Sequence, residues 1–241
     1  MWNRWELKQR AKTILRASYW KAFLISLILA LISGSDGLSI NTNQEDYDRL
    51  FRGADTWMSL PFAIMFLGVL LSASVVMTLI AILVLNPLEI GVRYYFLEST
   101  QMRFRLENIV HGFTNGRYKN LVITMLLRSI YNTLWYLLLI IPGIVKSYSY
   151  AMVPYLLAEN PGIPPSRAIE MSMQMTSGHK WQMFVLDLSF IGWFLLGALA
   201  LGIGSLFVLP YFNTTHAELY VALRTIALDR QIISLQELEA Y

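Results

Sequence analysis

The chain has 241 residues, of which 56% are hydrophobic and 15% charged, and its mean hydropathy is +0.48. In a soluble domain about a quarter of the residues are charged, so the composition of this chain is typical of an integral membrane protein. The absence of cysteine excludes disulfides, thiolate metal sites and cysteine nucleophiles. Membrane spans of about 20 residues leave room for about six helices and for no separate globular domain.

Residues 1–19 predict a basic amphipathic helix. Its cations recur every four positions, at Arg4, Lys8, Lys12 and Arg16. A helix of this kind lies on an anionic cytoplasmic leaflet, so anionic lipids are the predicted partners of this surface. A basic flank that only sets the orientation of the first span explains the pattern equally well.

The first span is predicted from Trp20 to Gly34, with a cleaved signal peptide as an alternative because Ser33-Gly34-Ser35 is made of small residues. An acidic, polar segment at 35–58 is predicted as an outer loop. The second span begins near Pro61 and runs to about Asn86, with a kinked continuation beyond Pro87. Its uncharged stretch from Leu60 to Leu85 reaches about 39 Å as a helix, more than the bilayer's hydrocarbon core of about 30 Å.

Two helical hairpins, 119–158 and 182–228, follow. The first is predicted as two spans, 119–141 and 144–158, with a break at Pro142-Gly143. The second turns on Gly202-Ile203-Gly204. Because each returning arm contains a Pro-Tyr pair (Pro154-Tyr155 and Pro210-Tyr211), an internal repeat is an alternative organisation.

Between the hairpins, residues 166–178 predict a second interfacial helix. One stripe is polar, and the remaining surface is rich in methionine. The polar stripe contains Arg167, Glu170, Gln174 and Ser177. The more specific alternative to simple packing at the membrane interface is a methionine-rich groove that binds a partner helix.

The distribution of basic residues predicts the topology. Fifteen of the 19 Lys and Arg residues fall on one side if six spans start and end in the cytoplasm. The positive-inside rule therefore places both termini in the cytoplasm. The predicted fold is all-α: one polytopic membrane helix bundle over 1–241, with about six transmembrane helices and two interfacial amphipathic helices.

Charged and titratable side chains within the predicted spans are the candidate functional residues, since they are costly in hydrocarbon unless paired. This set contains Glu89, Arg93, Arg128, Asp187, His216 and Glu218. The four-residue spacing of Glu89 and Arg93 predicts an ion pair. Arg128 and Asp187 lie at similar inferred depth and are predicted to pair, with Glu89 as the competing partner of Arg128.

Further polar residues face the space between the two predicted hairpins. They are Lys146, Tyr150, Asn213 and Tyr220. They either line a polar cavity or form structural hydrogen bonds between helices, and the second explanation is favoured. The three histidines lie on different elements, so no metal site is predicted, and we expect no cofactor and no nucleic-acid partner.

Several segments then resemble a known family. They include Glu6-Leu-Lys8, Tyr19-Trp20-Lys21, Asn86-Pro87-Leu88-Glu89, Ile141-Pro142-Gly143, Ala158-Glu159-Asn160-Pro161, Gly178-His179-Lys180-Trp181 and the stretch from Phe184 to Trp193. In these segments the chain resembles a bacterial multi-pass family catalogued as domain of unknown function 975. That family is distantly similar to the membrane-embedded, non-catalytic region of certain glycerophosphodiester phosphodiesterases. The resemblance implies a bacterial plasma-membrane protein without an assigned activity.

No catalytic motif was found: HExxH, the P-loop, GxSxG and GxGxxG are all missing from the sequence. The sequence therefore favours a non-enzymatic accessory or scaffold protein that acts through lipid and protein contacts, alone or as a homo-oligomer. The alternative is a transporter or channel-like protein, which moves a small molecule, lipid or peptide through a polar interior between the two hairpins.

Overall fold

The computed structural model describes residues 2–34, 56–114, 116–199 and 203–238. All regular elements in these ranges are helical, which confirms the all-α class. The predicted outer loop lies outside the described residues up to position 55, and a helix begins at Thr56.

Eleven α-helices are described. They are α1 Arg4–Gly34, α2 Thr56–Ile80, α3 Asn86–Thr100, α4 His111–Thr114, α5 Tyr118–Leu138, α6 Ile140–Ser149, α7 Val153–Glu159, α8 Pro165–Thr176, α9 Lys180–Leu199, α10 Ile203–Asp229 and α11 Leu235–Leu238. A π-helix at Ala81–Leu85 joins α2 to α3, and a 3-10 turn at Leu106–Val110 precedes α4.

Helix α1 has two arms that meet at Ser18, where φ −155° and ψ 46° depart from helical values. Both arms contact α10. In the second arm the ring of Phe23 stacks on Phe207 at 5.1 Å, and in the first arm the ammonium of Lys12 lies 5.9 Å from the ring centroid of Tyr211. The basic N-terminal arm therefore packs against the bundle along one face.

The π-helix before α3 coincides with a proline. Pro87 lies in the first turn of α3 and has no N–H to donate to the carbonyl of Leu83, four residues earlier. That carbonyl accepts a hydrogen bond from the Tyr118 hydroxyl instead. The wider π turn and this bond carry the chain past the proline without ending the helix.

The first C-terminal hairpin differs from the predicted spans. It turns at Leu139, where the backbone is extended, and Pro142 lies in the first turn of α6 rather than at the break. The predicted span 144–158 is not one helix, because α6 ends at Ser149 and α7 begins at Val153. Pro154 explains this interruption, since its ring excludes a helical hydrogen bond to the carbonyl of Tyr150.

The second hairpin is formed by α9 and α10, and α10 is the central helix of the bundle. It packs against α1, α3, α8 and α9. At the hairpin's closed end the two helices approach so closely that a Cβ on Gly197 would lie 2.4 Å from the backbone nitrogen of Ser205. Glycine is therefore required at that crossing.

Helix α8 is amphipathic, as the sequence predicts for 166–178, but its methionines face its own bundle. Met171 and Met175 are buried, whereas Ser166 and Glu170 are exposed. The alternative of a methionine-rich groove for a partner helix is therefore wrong for these two side chains.

Four segments of the described chain are long and apolar enough to cross a membrane: Arg4–Ala30, Ile64–Thr100, Tyr118–Leu138 and Lys180–Leu199. Helix α2 is the most apolar and the least covered of them. Apart from the half-buried Leu70, its side chains from Ile64 to Ile80 are exposed. The buried core lies elsewhere and is formed mainly by residues of α1, α3, α7, α8, α9 and α10.

Candidate functional site

Many of the polar side chains of the interior form three groups, each built around one carboxylate. We name them the Glu89, Asp187 and Glu159 clusters. Each carboxylate forms hydrogen bonds or ion pairs with two other side chains. The clusters connect helices that are distant in sequence.

The Glu89 cluster connects α3, α7, α10 and α1 through Arg93. The guanidinium of Arg93 lies 3.3 Å from Glu89, one turn earlier on α3, so the predicted ion pair is present. It also donates to the Tyr155 hydroxyl of α7 at 3.3 Å and approaches the Asn213 Oδ1 of α10 at 3.5 Å. Asn213 in turn donates to Ser26 of α1 at 3.1 Å.

Arg128 joins the Glu89 cluster from α5. Its Nη1 lies 3.8 Å from the second carboxylate oxygen of Glu89. The predicted pair between Arg128 and Asp187 is therefore wrong, and the competing partner is the one that Arg128 contacts. Similar depth in two helices does not bring side chains together when they face different neighbours.

The Asp187 cluster connects α6, α9 and α10. One carboxylate oxygen of Asp187 accepts a hydrogen bond from the Tyr148 hydroxyl at 2.8 Å, and the other lies 2.8 Å from Nε2 of His216. The ring of His216 also packs against Phe212, with centroids 4.3 Å apart. This cluster ties the broken arm of the first hairpin to both arms of the second.

The Glu159 cluster lies at the end of α7. Glu159 accepts a hydrogen bond from the Tyr220 hydroxyl at 2.5 Å and pairs with Arg224 at 2.7 Å. The ring of Tyr220 stacks on Tyr155 at 5.2 Å, which links this cluster to that of Glu89. Tyr220 is thus bonded within the core and does not line an open space.

The sequence did not identify Ser26, Tyr148, Tyr155 or Glu159 as members of these clusters. Tyr155 lies in a Pro-Tyr pair and Glu159 in the Ala158-Glu159-Asn160-Pro161 segment, and these patterns are the sequence signals for both residues. Ser26 and Tyr148 had no comparable signal, since serine and tyrosine are common in membrane helices.

Three predicted residues lie outside the clusters. The ammonium of Lys146 lies 4.8 Å from the ring centroid of Trp135 in the facing arm of its hairpin. Tyr150 is buried at the break after α6, beside the ring of Tyr131. Glu218 is buried on α10, and the charges that act on it are Arg10 and Glu6 of the first α1 arm.

The basic stripe of α1 is only partly a surface. Lys8 is half-buried: it donates to the Ser189 hydroxyl of α9 at 2.7 Å and lies 4.3 Å from the Phe190 ring centroid. Its predicted lipid-facing position is therefore wrong. An i, i+4 stripe drifts by about 40° per step in a helix with 3.6 residues per turn, so its members cannot all face one way.

Arg4, Lys12 and Arg16 are exposed. Two of these cations border an open groove between the first arm of α1 and α10, which is lined by Lys12, Leu15, Arg16, Tyr19 and Tyr211. Tyr19 is held in place because its hydroxyl donates to the carbonyl of Phe207 at 3.0 Å. The groove therefore combines cations at its rim with aromatic and aliphatic surface.

At the other end of the chain, α11 is attached to α8 by an ion pair. The Arg167 guanidinium lies 2.9 Å from Glu237, and its hydrogen bond lowers the pKa of that carboxyl below its usual value. Asn160 donates to the carbonyl of Glu237 at 2.9 Å. These bonds hold the C-terminal segment against the α7–α8 corner.

The chemistry of the three clusters is that of interhelical attachment. In the part of the chain that the structure describes, no group of three His, Asp or Glu side chains could hold a metal ion. His216 and Asp187 form an acid–base pair, but the third member is the hydroxyl of Tyr148, which donates to the carboxylate rather than to the imidazole. That arrangement lacks the bond between base and nucleophile that nucleophilic catalysis requires.

The comparison with protein families gives a match over the C-terminal part of the chain. Residues 137–227 match the model of a family described as "Protein of unknown function (DUF975)". This confirms the resemblance to domain of unknown function 975 over α6 to α9 and most of α10, which includes the Asp187 and Glu159 clusters. No curated protein and no solved structure matches the chain significantly.

Proposed function

We propose that this chain is a non-enzymatic accessory or scaffold protein of the bacterial plasma membrane. Both termini lie in the cytoplasm, and the protein acts by binding anionic lipid of the cytoplasmic leaflet and by contacting membrane-protein partners. The observation that carries this proposal is the groove with Lys12 and Arg16 at its rim.

The groove suits an anionic phospholipid. Ammonium and guanidinium groups bind phosphate oxygens strongly, so Lys12 and Arg16 would hold the headgroup. Leu15 and the tyrosine rings offer an apolar surface beside them for the first part of an acyl chain. Arg4, exposed near the start of the same arm, adds to the attraction toward an anionic leaflet.

The interior geometry favours this role over transport. A transport pathway needs polar groups that can exchange their partners for an ion or a substrate. Here Glu89, Asp187 and Glu159 are each engaged by two side chains of the same chain, within 3.8 Å. Such bonds fit the stabilisation of helix packing.

Helix α2 supports the second half of the proposal, contact with a membrane protein. Its apolar surface between Ile64 and Ile80 has almost no cover from the described part of the chain. In a membrane this surface packs against lipid or against a helix of another protein, including a second copy of this chain. The choice between these neighbours sets the oligomeric state.

The lipid proposal is tested by comparing two variants of equal charge. Lys12→Gln/Arg16→Gln removes the cations of the groove, whereas Lys119→Gln/Arg230→Gln removes two exposed cations elsewhere. Phosphatidylglycerol binding is measured by native mass spectrometry, with phosphatidylcholine as the neutral reference. At about 1 kcal/mol for each basic residue, we expect the groove variant to bind phosphatidylglycerol about 30-fold more weakly.

We expect the Lys119→Gln/Arg230→Gln control to bind almost as the unmodified protein does. Equal losses in both variants would mean general attraction to an anionic surface without a groove site. A protein that shows no preference for phosphatidylglycerol over phosphatidylcholine would contradict the lipid proposal altogether.

A further inference from the structure

The tips of the two C-terminal hairpins consist of exposed apolar residues. In the α5–α6 tip, the side chains from Leu137 to Ile141 are 61–84% exposed. At the α9–α10 tip, Leu199 is 83% exposed, and the sequence from Leu188 to Tyr211 has no charged residue. If these tips emerged into water on the outer side of the membrane, a cluster of large aliphatic side chains would be left in contact with water.

The position of α8 limits how far the first hairpin reaches. The Ser172 hydroxyl donates to the carbonyl of Ser149 and accepts from the N–H of Met152, so α8 lies beside the end of α6. The opposite face of α8 exposes Glu170 and must contact water or lipid headgroups. From Ser149 to the tip, α6 has 10 residues, a length of about 15 Å.

The basic arm of α1 limits the second hairpin in the same way. Lys8 bonds to Ser189 of α9, and Lys12 lies over the ring of Tyr211 of α10. This arm also exposes Arg16, so it too must contact water or headgroups. From these contacts about 10 residues remain to the end of α9 and about 8 to the start of α10, which are lengths of about 15 and 12 Å.

Both lengths are about half of the 30 Å that a hydrocarbon core requires. We infer that the α5–α6 and α9–α10 hairpins are re-entrant: each enters the cytoplasmic leaflet, turns within the hydrocarbon and returns to the cytoplasmic side. The helices Tyr118–Leu138 and Lys180–Leu199 are long enough to span a membrane, but their first halves pack in the part of the bundle that carries the exposed charges.

A turn in hydrocarbon is tolerated only when few backbone groups are unpaired. The α5–α6 turn meets this condition because a single residue, Leu139, separates the two helices. Its N–H donates to the carbonyl of Trp135, and its own carbonyl accepts the N–H of Gly143. Pro142 has no N–H to satisfy.

Re-entrant hairpins preserve the predicted orientation. Each hairpin returns to the side from which it entered, so both termini stay in the cytoplasm. In place of four crossings by the helices of these hairpins, each hairpin enters and leaves the membrane through the same leaflet.

The cysteine-free chain allows a direct test with single cysteines. Leu138→Cys and Leu199→Cys report on the two tips, both at exposed positions. Asn43→Cys is the outer reference and Ser166→Cys the cytoplasmic one. An impermeant maleimide is applied to intact cells and to inverted vesicles, and the four positions are compared.

We expect the outer reference to react in cells, the cytoplasmic reference to react in vesicles, and both tips to react in neither. A nitroxide attached at each tip should then collide readily with dissolved oxygen and rarely with a water-soluble nickel complex. Reaction of a tip cysteine in intact cells would mean that its hairpin crosses the membrane and would overturn the inference. Low collision rates with both reagents would also overturn it, because the tip would then be covered by protein.

Discussion

Glu89 on α3 contacts Arg128 on α5 at 3.8 Å, while the same carboxylate is 3.3 Å from Arg93 on its own helix. One negative charge is thus shared by two guanidinium groups, and their side chains are about four-fifths buried. The other terminal nitrogen of Arg93, Nη1, reaches Tyr155 and Asn213. Glu89 therefore links α3 to α5 through an ion pair.

Replacing Glu89 with Gln should destabilise the protein by about 2 kcal/mol, because two partly buried guanidinium groups lose their counter-charge. Thermal unfolding in detergent measures the loss. Glu107→Gln is the matched control, since Glu107 is 75% exposed in its pair with Arg105 and its loss should matter little. In the double variant Glu89→Gln/Arg128→Gln the loss should be smaller than the sum of the single losses; additive losses would argue against a direct interaction.

Asp187 should tolerate Asn better than Ala. Asn keeps an oxygen that accepts the Tyr148 hydroxyl, whereas Ala leaves both that hydroxyl and His216 without their partner. We expect the Ala variant to lose roughly 1–2 kcal/mol more stability than the Asn variant, measured by thermal unfolding. Exchanging the charges of Arg128 and Asp187 should not recover the stability lost in the single variants, because the two residues belong to different clusters. A recovery of stability would support the direct pair that the sequence predicts.

Gly91→Ala should strongly reduce the yield of folded protein. A Cβ at this position would lie 1.8 Å from the carbonyl oxygen of Ile109, so the segment before α4 would have to move away from α3. Gly192→Ala is the control, because nothing lies within 4 Å of a Cβ there. Size-exclusion chromatography of the two variants gives the comparison, and similar yields would show that α3 and the 3-10 turn are not packed so closely.

Attachment of the C-terminal segment should weaken in acid. The pKa of Glu237 is lowered in the folded protein, so its contribution to stability is fully present above the ordinary carboxyl pKa and is lost as the pH falls through the folded value. Limited proteolysis between pH 7 and pH 3 should show release of residues after Asp229 at the acidic end. In Arg167→Gln the segment should already be released at neutral pH; an unchanged profile in that variant would contradict the role of the ion pair.

The all-α class and most helix positions were predictable from the sequence because they depend on local properties. Hydrophobic length predicted α2 and α9, and the change from basic to apolar residues near position 19 lies next to the kink at Ser18. The break inside the predicted span 144–158 was missed, although Pro154 is in the sequence. A proline in an apolar stretch is compatible with a kinked helix or with two helices, as α10 shows by continuing through Pro210.

The candidate site was predictable only in part. Spacing along one helix predicted the Glu89–Arg93 pair, because residues four apart share a face. Depth could not predict the partner of Asp187, since two side chains at equal depth meet only if their helices are neighbours and turned toward each other. Lys8 illustrates the same limit, because it belongs to the basic stripe in sequence but contacts α9 in the fold.

The sequence by itself determined that this is an apolar, all-helical chain with basic segments between its hydrophobic ones, because composition and periodicity act residue by residue along the chain. Only the tertiary structure decided that Glu89 pairs with two arginines and that Asp187 bonds to Tyr148 and His216. It also decided that α8 and the basic arm of α1 contact the hairpins partway along their length. Those relationships depend on which helix faces are brought close enough for their side chains to form hydrogen bonds or ion pairs, at about 3 to 4 Å. That choice is made by the packing of the whole bundle.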